Sequence, residues 1–169
     1  MPDYLQPNLC LVFIGFNPGQ HSAAVGHYYA GRGNLFWPLL YEAGLVPEPI
    51  THAEDHRVLE FGIGLTDLVK RPTRSSNNLS AAEAHAGAAD LLHKILTYTP
   101  RVICFNGKGV YTWFSQRQAF DLGLQTEMIG RTRLFVMPST SARNGHFSRA
   151  EKTAYFRNLR HLLQQVAGR

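Results

Sequence analysis

The chain has 169 residues, of which 44% are hydrophobic and 17% charged, and it carries a formal charge of +5 with a pI near 9.5. That length suits one domain spanning residues 1–169, with enough interior for a substantial core, and the basic balance favours a polyanionic partner. No apolar stretch reaches membrane-spanning length, the polar start from Met1 to Asn8 is no secretion signal, and two cysteines are too few for a four-thiolate metal cluster. The expected setting is therefore the cytosol, beside the nucleoid if the source is bacterial, with no membrane partner and no required metal.

In chain order, Leu11 to Phe16 reads as a buried strand that delivers Gly15-Phe16-Asn17-Pro18-Gly19 to its carboxyl end. Proline fixes φ and gives up its N–H, glycine permits close backbone approach, and the Asn17 amide offers both a donor and an acceptor. Asn34 stands where it can cap a helix over Leu35 to Ala43, with Gly44 as its stop. His52-Ala53-Glu54-Asp55-His56 reads as a solvated helix start. Its glutamate is not adjacent to the first histidine as a metalloprotease needs, and the Pro-Cys-x-x-Cys partner of zinc deaminases is absent.

Gly62 to Leu68 is the second predicted strand, ending in Thr66-Asp67, with Lys70, Arg71 and Arg74 close behind. Ser80 is placed to cap a helix from Ala81 to Tyr98, whose residues Ala82, Ala86, Ala89, Leu92 and Leu96 trace a stripe before Pro100. Arg101 to Phe105 forms the third strand and ends in Asn106-Gly107-Lys108. That turn lacks the spacing of a phosphate loop, and neither Gly-x-Gly-x-x-Gly after the first strand nor a Gly-x-Ser-x-Gly elbow occurs. Gly107 leads into a helix over Val110 to Gln116. Arg133 to Met137 is the fourth strand, running into Pro138-Ser139-Thr140-Ser141-Ala142-Arg143, and Ser148 with Glu151 forms a capping box before a helix over Thr153 to Val166. Cys10 and Cys104 both fall in predicted buried strands, as reduced core thiols.

Alternating strands and helices predict an α/β protein with a mostly parallel, four-stranded sheet covered on both faces. Ligands of such sheets bind outside the carboxyl ends of the strands. Here every one of those ends carries polar residues or a tight turn, which predicts an active site rather than a structural domain.

Those blocks, together with Gly26-His27-Tyr28-Tyr29 and Gly33-Asn34-Leu35-Phe36-Trp37, resemble in order the thymine/uracil mismatch-specific DNA glycosylases of the uracil-DNA glycosylase superfamily, from about Leu11 to Leu163. The resemblance implies a three-layer α/β/α sandwich, a monofunctional glycosylase of base excision repair, and no cofactor. It also implies a base flipped into a pocket, with Tyr29 stacking on it, Asn34 bonding in the same pocket, and the Phe16 backbone reading the base edge. Asn17 takes the place of the residue that holds the attacking water; an amide cannot remove a proton at neutral pH, so it orients. Asp67 departs from the pattern of the better-known members. A carboxylate there can act as a general base or stabilise oxocarbenium character, or it can cap a turn or pair with Lys70 or Arg71. Whether Asn17 or Asp67 dominates stays open, as does thymine excision. The stretch Ser139, Ser141, Ala142, Arg143 and Asn144 resembles the family's insertion loop, with Arg143 entering the vacated base stack and the serines gripping the DNA backbone. His146 and Arg149 are candidates for further phosphate contacts.

The implied partner is duplex DNA with a G:U or related mismatch, with single-stranded DNA as a further candidate, and the chain is expected to be a monomer. Two other classes remain: a weakly catalytic module that binds mismatched or damaged DNA, and a hydrolase of free nucleosides. Steep salt dependence would favour DNA over a nucleoside.

Overall fold

The computed structural model describes residues 1–167. Its elements in chain order are β1 (Leu11–Gly15), α1 (Gln20–Val25), α2 (Phe36–Glu42), a 3-10 segment (His52–Phe61), β2 (Ile63–Asp67), α3 (Ala81–Tyr98), β3 (Val102–Asn106), α4 (Lys108–Ser115), β4 (Gly123–Ile129), β5 (Thr132–Met137) and α5 (Arg149–Ala167). They form one sheet of order β2-β1-β3-β5-β4, in which only β4 runs antiparallel to its neighbour.

The strand sequences explain the layers. Side chains alternate across a strand, so Leu11 and Phe13 of β1 join Cys104, Phe135 and Met137 under α2 and α5. Val12 and Ile14 join Ile103, Phe105 and Val136 under α3 and α4 on the other face. Both sets are buried, which yields the expected three-layer α/β/α sandwich.

The sheet has five strands rather than the expected four. β4 carries no apolar run because it is an edge strand: Gln125 is its one buried residue, and Leu124 and Met128 lie exposed. Its registration is local. Ile129 pairs with Thr132 across the two-residue turn Gly130-Arg131, with Gly130 at φ 56°, the glycine-first hairpin chemistry that favours such a turn.

Helix ends follow their caps. Ser80 Oγ accepts from the Glu83 N–H at 3.1 Å while Glu83 accepts from the Ser80 N–H at 2.8 Å. Ser148 and Glu151 repeat the exchange at 3.1 and 3.0 Å, and α5 therefore starts at Arg149, one turn before the predicted Thr153. The α2 helix is a residue shorter at each end than predicted, yet Asn34 Oδ1 still accepts from the Phe36 N–H at 3.0 Å. Cys10 is a correction: it lies exposed just before β1, whereas Cys104 is buried within β3, where burial pushes its thiol pKa well up.

Candidate active site

The carboxyl ends of β1, β2, β3 and β5 converge on a cavity of about 630 Å³. Gly15, Phe16, Asn17, Tyr29, Asn34, Asp67, Asn106 and the segment Ser139 to Asn144 all line it. The pocket and loop residues expected from the sequence are thus brought to one place, while His146 and Arg149 lie outside the lining. Asn106, expected only as part of a polar strand end, joins them together with Tyr28, Thr73 and Arg74.

Asn17 is held by its nitrogen. Its Nδ2 donates to the Arg71 carbonyl and to Thr73 Oγ1, each at 2.8 Å. The Arg71 carbonyl can only accept, so the amide orientation is fixed and Oδ1 is the end left to receive a hydrogen. The following loop is sewn to β2 by the Leu68 N–H on the Gly15 carbonyl at 2.8 Å and the Val69 N–H on the Phe16 carbonyl at 2.9 Å. Phe16 therefore has its carbonyl already engaged.

Asp67 sits at the end of β2 with 5% of its surface exposed, and its Oδ2 is buried with no hydrogen-bond partner. Neither pairing considered from the sequence occurs: Lys70 binds Asp3, and Arg71 binds Glu83 at 2.5 Å. Burial dominates, opposed by the positive charge of Lys70, and raises the carboxyl pKa to about 7. A carboxyl so poised is divided between acid and base at neutral pH, as proton transfer requires.

Tyr29 lies at φ 52°, a conformation uncommon for a non-glycine residue. Its ring stacks on Phe36 with centroids 4.1 Å apart and planes 27° apart. Its hydroxyl is buried and has no hydrogen-bond partner, and burial, followed by the charge of Asp67, pushes its pKa up. Contacts on both sides hold this strained turn. Asp55 Oδ2 accepts from the Tyr28 N–H at 2.9 Å, Trp37 donates to the Tyr28 carbonyl at 2.9 Å, and Ser22 Oγ accepts from the Ala30 N–H at 3.0 Å.

The Ser139 to Asn144 loop is built from its own polar groups. Ser139 Oγ accepts from Ser141 N–H, Ser141 Oγ accepts from Arg143 N–H, and Asn144 Nδ2 donates to the Ser139 carbonyl, at 3.2, 3.2 and 3.0 Å. The serine oxygens thus serve the loop, and each keeps a hydroxyl hydrogen to donate. Asn106 clamps the loop to β3 through both amide atoms: Nδ2 donates to Thr140 Oγ1 at 2.9 Å and Oδ1 accepts from Thr140 N–H at 3.0 Å. Buried Lys152 fastens it from α5, donating to the Asn144 carbonyl at 3.0 Å. Ala142 packs against Gly33, where an added Cβ would come within 3.2 Å of the alanine methyl at φ 77°. Exposed Arg143 reaches back over the mouth and donates to the Arg74 carbonyl at 2.5 Å. Of the two further candidates for phosphate contacts, Arg149 is paired with Glu42, and His146 packs edge-to-face with Phe147.

Among the described residues no group of three or more His, Cys, Asp or Glu is arranged to hold a metal ion. The cavity instead joins a poised carboxyl, an oriented amide and an aromatic ring under a cationic loop. Residues 2–164 match the sequence profile of the Uracil DNA glycosylase superfamily.

The chain belongs to that superfamily. Among solved structures it is similar to a candidate uracil DNA glycosylase of Methanosarcina acetivorans determined by solution NMR, at 25% identity and a TM-score of 0.64, over 95% of this chain and 97% of that one. Membership makes this chain a hydrolytic DNA glycosylase, with DNA as its partner and base excision repair as the process.

Proposed function

We propose that this glycosylase excises uracil, and related pyrimidine lesions, from mismatched duplex DNA by flipping the nucleotide into the cavity bounded by Tyr29 and Asp67. The observation that carries the reading is the pairing of Asn17, with Oδ1 left to accept, and Asp67, with Oδ2 unpartnered, on one cavity at the ends of adjacent parallel strands. In this reading the base stacks against Tyr29, Asn34 bonds within the pocket, and the Phe16 peptide meets the base edge through its N–H, its carbonyl being engaged by Val69.

A water oriented by Asn17 Oδ1 attacks C1′ as the C1′–N bond breaks. Its proton passes to the Asp67 carboxylate, and the bonding electron pair leaves with the base as an anion. The negative carboxylate also favours positive charge developing on the sugar. Uracil leaves readily as an anion, so an orienting amide and a weak base suffice for it. Arg143 must leave Arg74 to enter the duplex, while Ser139, Ser141, Ala142 and Asn144 lie along the DNA backbone. The cationic mouth supports a DNA substrate over a free nucleoside, which would make no use of it.

The test is single-turnover cleavage of a duplex with one G:U pair, followed by alkaline nicking at the abasic site, for wild type beside Asn17→Ala, Asp67→Ala and Arg143→Ala. Expected are loss of cleavage in the pocket variants and its retention by Arg143→Ala at high enzyme concentration. Folded wild-type protein that cleaves no uracil in any DNA context would overturn the assignment, and tight, salt-sensitive binding without cleavage would make the protein a damage-binding module.

A further inference from the structure

Tyr29 and Asp67 hold two buried side-chain oxygens without a hydrogen-bond partner, Tyr29 Oη and Asp67 Oδ2. They are neighbours. A Cβ added to Gly15 would lie 2.5 Å from Asp67 Oδ1 and 3.2 Å from Tyr29 Oη, so both side chains close on the single space that this glycine leaves open. An unsatisfied buried hydroxyl facing an unsatisfied carboxyl is a costly arrangement unless the two serve one another.

We infer that Tyr29 is a positioning residue for Asp67: across the gap kept by Gly15 its hydroxyl donates to the carboxylate, fixing the rotamer of Asp67 and favouring its ionised form. This rests on the reading of Asp67 as the group that takes the proton from water. The rest of the surroundings leaves Tyr29 as the donor. The Tyr28 hydroxyl is committed to the Pro2 carbonyl at 2.8 Å, and Lys70 and Lys94 both bind Asp3 instead of Asp67. The other groups that act on Asp67 are Asp3 from the amino-terminal segment, Lys70 behind β2, Lys94 from α3 and the amino group of Met1. Tyr28 and Tyr29 feel its charge from the turn before α2, and Asn106 and Cys104 of β3 lie near Tyr29, the Asn106 amide opposing the rise in the Tyr29 pKa. The strained backbone of Tyr29, pinned through both neighbouring residues, aims the hydroxyl. The ring is left free to stack, so one residue serves the base with its face and the carboxyl with its tip.

Tyr29→Phe separates these roles, because it keeps the ring and its stack on Phe36 and removes only Oη. The carboxyl carbon of Asp67, labelled with carbon-13 and assigned by its absence in Asp67→Asn, is titrated by NMR in wild type and Tyr29→Phe without DNA. The expected result is a midpoint about one pH unit higher in Tyr29→Phe, since a hydrogen bond to the charged form is lost. The acid limb of the single-turnover rate profile should move by the same amount. A midpoint that does not move, or that falls, overturns the inference.

Gly15→Ala should disturb the same resonance by driving a methyl group into Oδ1. If that variant does not fold, Tyr29→Phe decides alone. The two readings fail separately: wild-type cleavage by Asp67→Asn would remove Asp67 from the chemistry, while the NMR titration would still report whether Tyr29 governs its ionisation.

Discussion

Two carboxylates of this chain are almost wholly removed from water, and they are treated in opposite ways. Asp55 has 0% of its surface exposed and is surrounded by partners: the Tyr4 hydroxyl at 3.0 Å, His27 Nδ1 at 3.1 Å and the Tyr28 N–H at 2.9 Å. Asp67, with 5% exposed, has its Oδ2 unpaired and its pKa raised to about 7 by burial. The same fold thus satisfies one buried carboxyl completely and leaves the other wanting a proton or a water. Asp55 ties down the turn that carries Tyr29, and Asp67 stands in the cavity that turn helps to form. On the function proposed above, the difference separates a group that ties the fold together from one held ready for proton transfer at a stability cost.

The largest expected effect is on catalysis. Asp67→Asn should lower the single-turnover rate by about a hundredfold to ten-thousandfold, the range for loss of a general base, with the G:U duplex as substrate. The same change should stabilise the protein. Because the folded pKa of about 7 lies above the ordinary aspartate value of 3.8, the native state binds the extra proton between those values, so stability falls as pH rises from about 4 to about 7. Removing the carboxylate should recover on the order of a few kcal/mol above that window and nothing below it, measured by urea unfolding at pH 4 and pH 8.

Asp55→Ala should act in the opposite sense, destabilising by about 3 kcal/mol because it orphans a buried N–H and a tyrosine hydroxyl; a change under about 0.5 kcal/mol in the same urea series would erase the contrast between the two carboxyls. Asn17→Ala tests whether orientation matters beside proton transfer, with an expected loss of about tenfold to a hundredfold in single-turnover rate and little change in DNA affinity. The smallest effect falls on the loop. Lys152→Met keeps a buried aliphatic stem but frees the Asn144 carbonyl, and should weaken DNA binding by about threefold in fluorescence anisotropy, less than 1 kcal/mol, while leaving the rate at saturating enzyme unchanged.

The sequence was most legible where chemistry is local. The buried runs that became β1, β2, β3 and β5 announce themselves by continuous apolar residues, and Ser80 and Ser148 announce their helices by the glutamate three positions on. β4 lacked such a run because an edge strand buries little: its one buried residue is Gln125, while Leu124 and Met128 stand exposed among polar neighbours, although Gly130-Arg131 was a hairpin signal. Strand ends located the cavity because a parallel sheet gathers its carboxyl ends. What no local pattern showed was pairing over distance. That Lys70 and Arg71 would be taken by Asp3 and Glu83, leaving Asp67 unpaired, depends on how separate segments meet. The clamp of Asn106 on Thr140 and the fastening of the loop by Lys152 are equally nonlocal.

The most direct test is to measure single-turnover cleavage and unfolding free energy for wild type and Asp67→Asn in one buffer at pH 8. A protein whose buried carboxyl is held for catalysis should become slower and more stable together. A variant that cleaves within about twofold of wild type, below 0.5 kcal/mol in barrier, or that loses stability as Asp55→Ala is expected to do, would contradict the assignment of Asp67 to the chemistry.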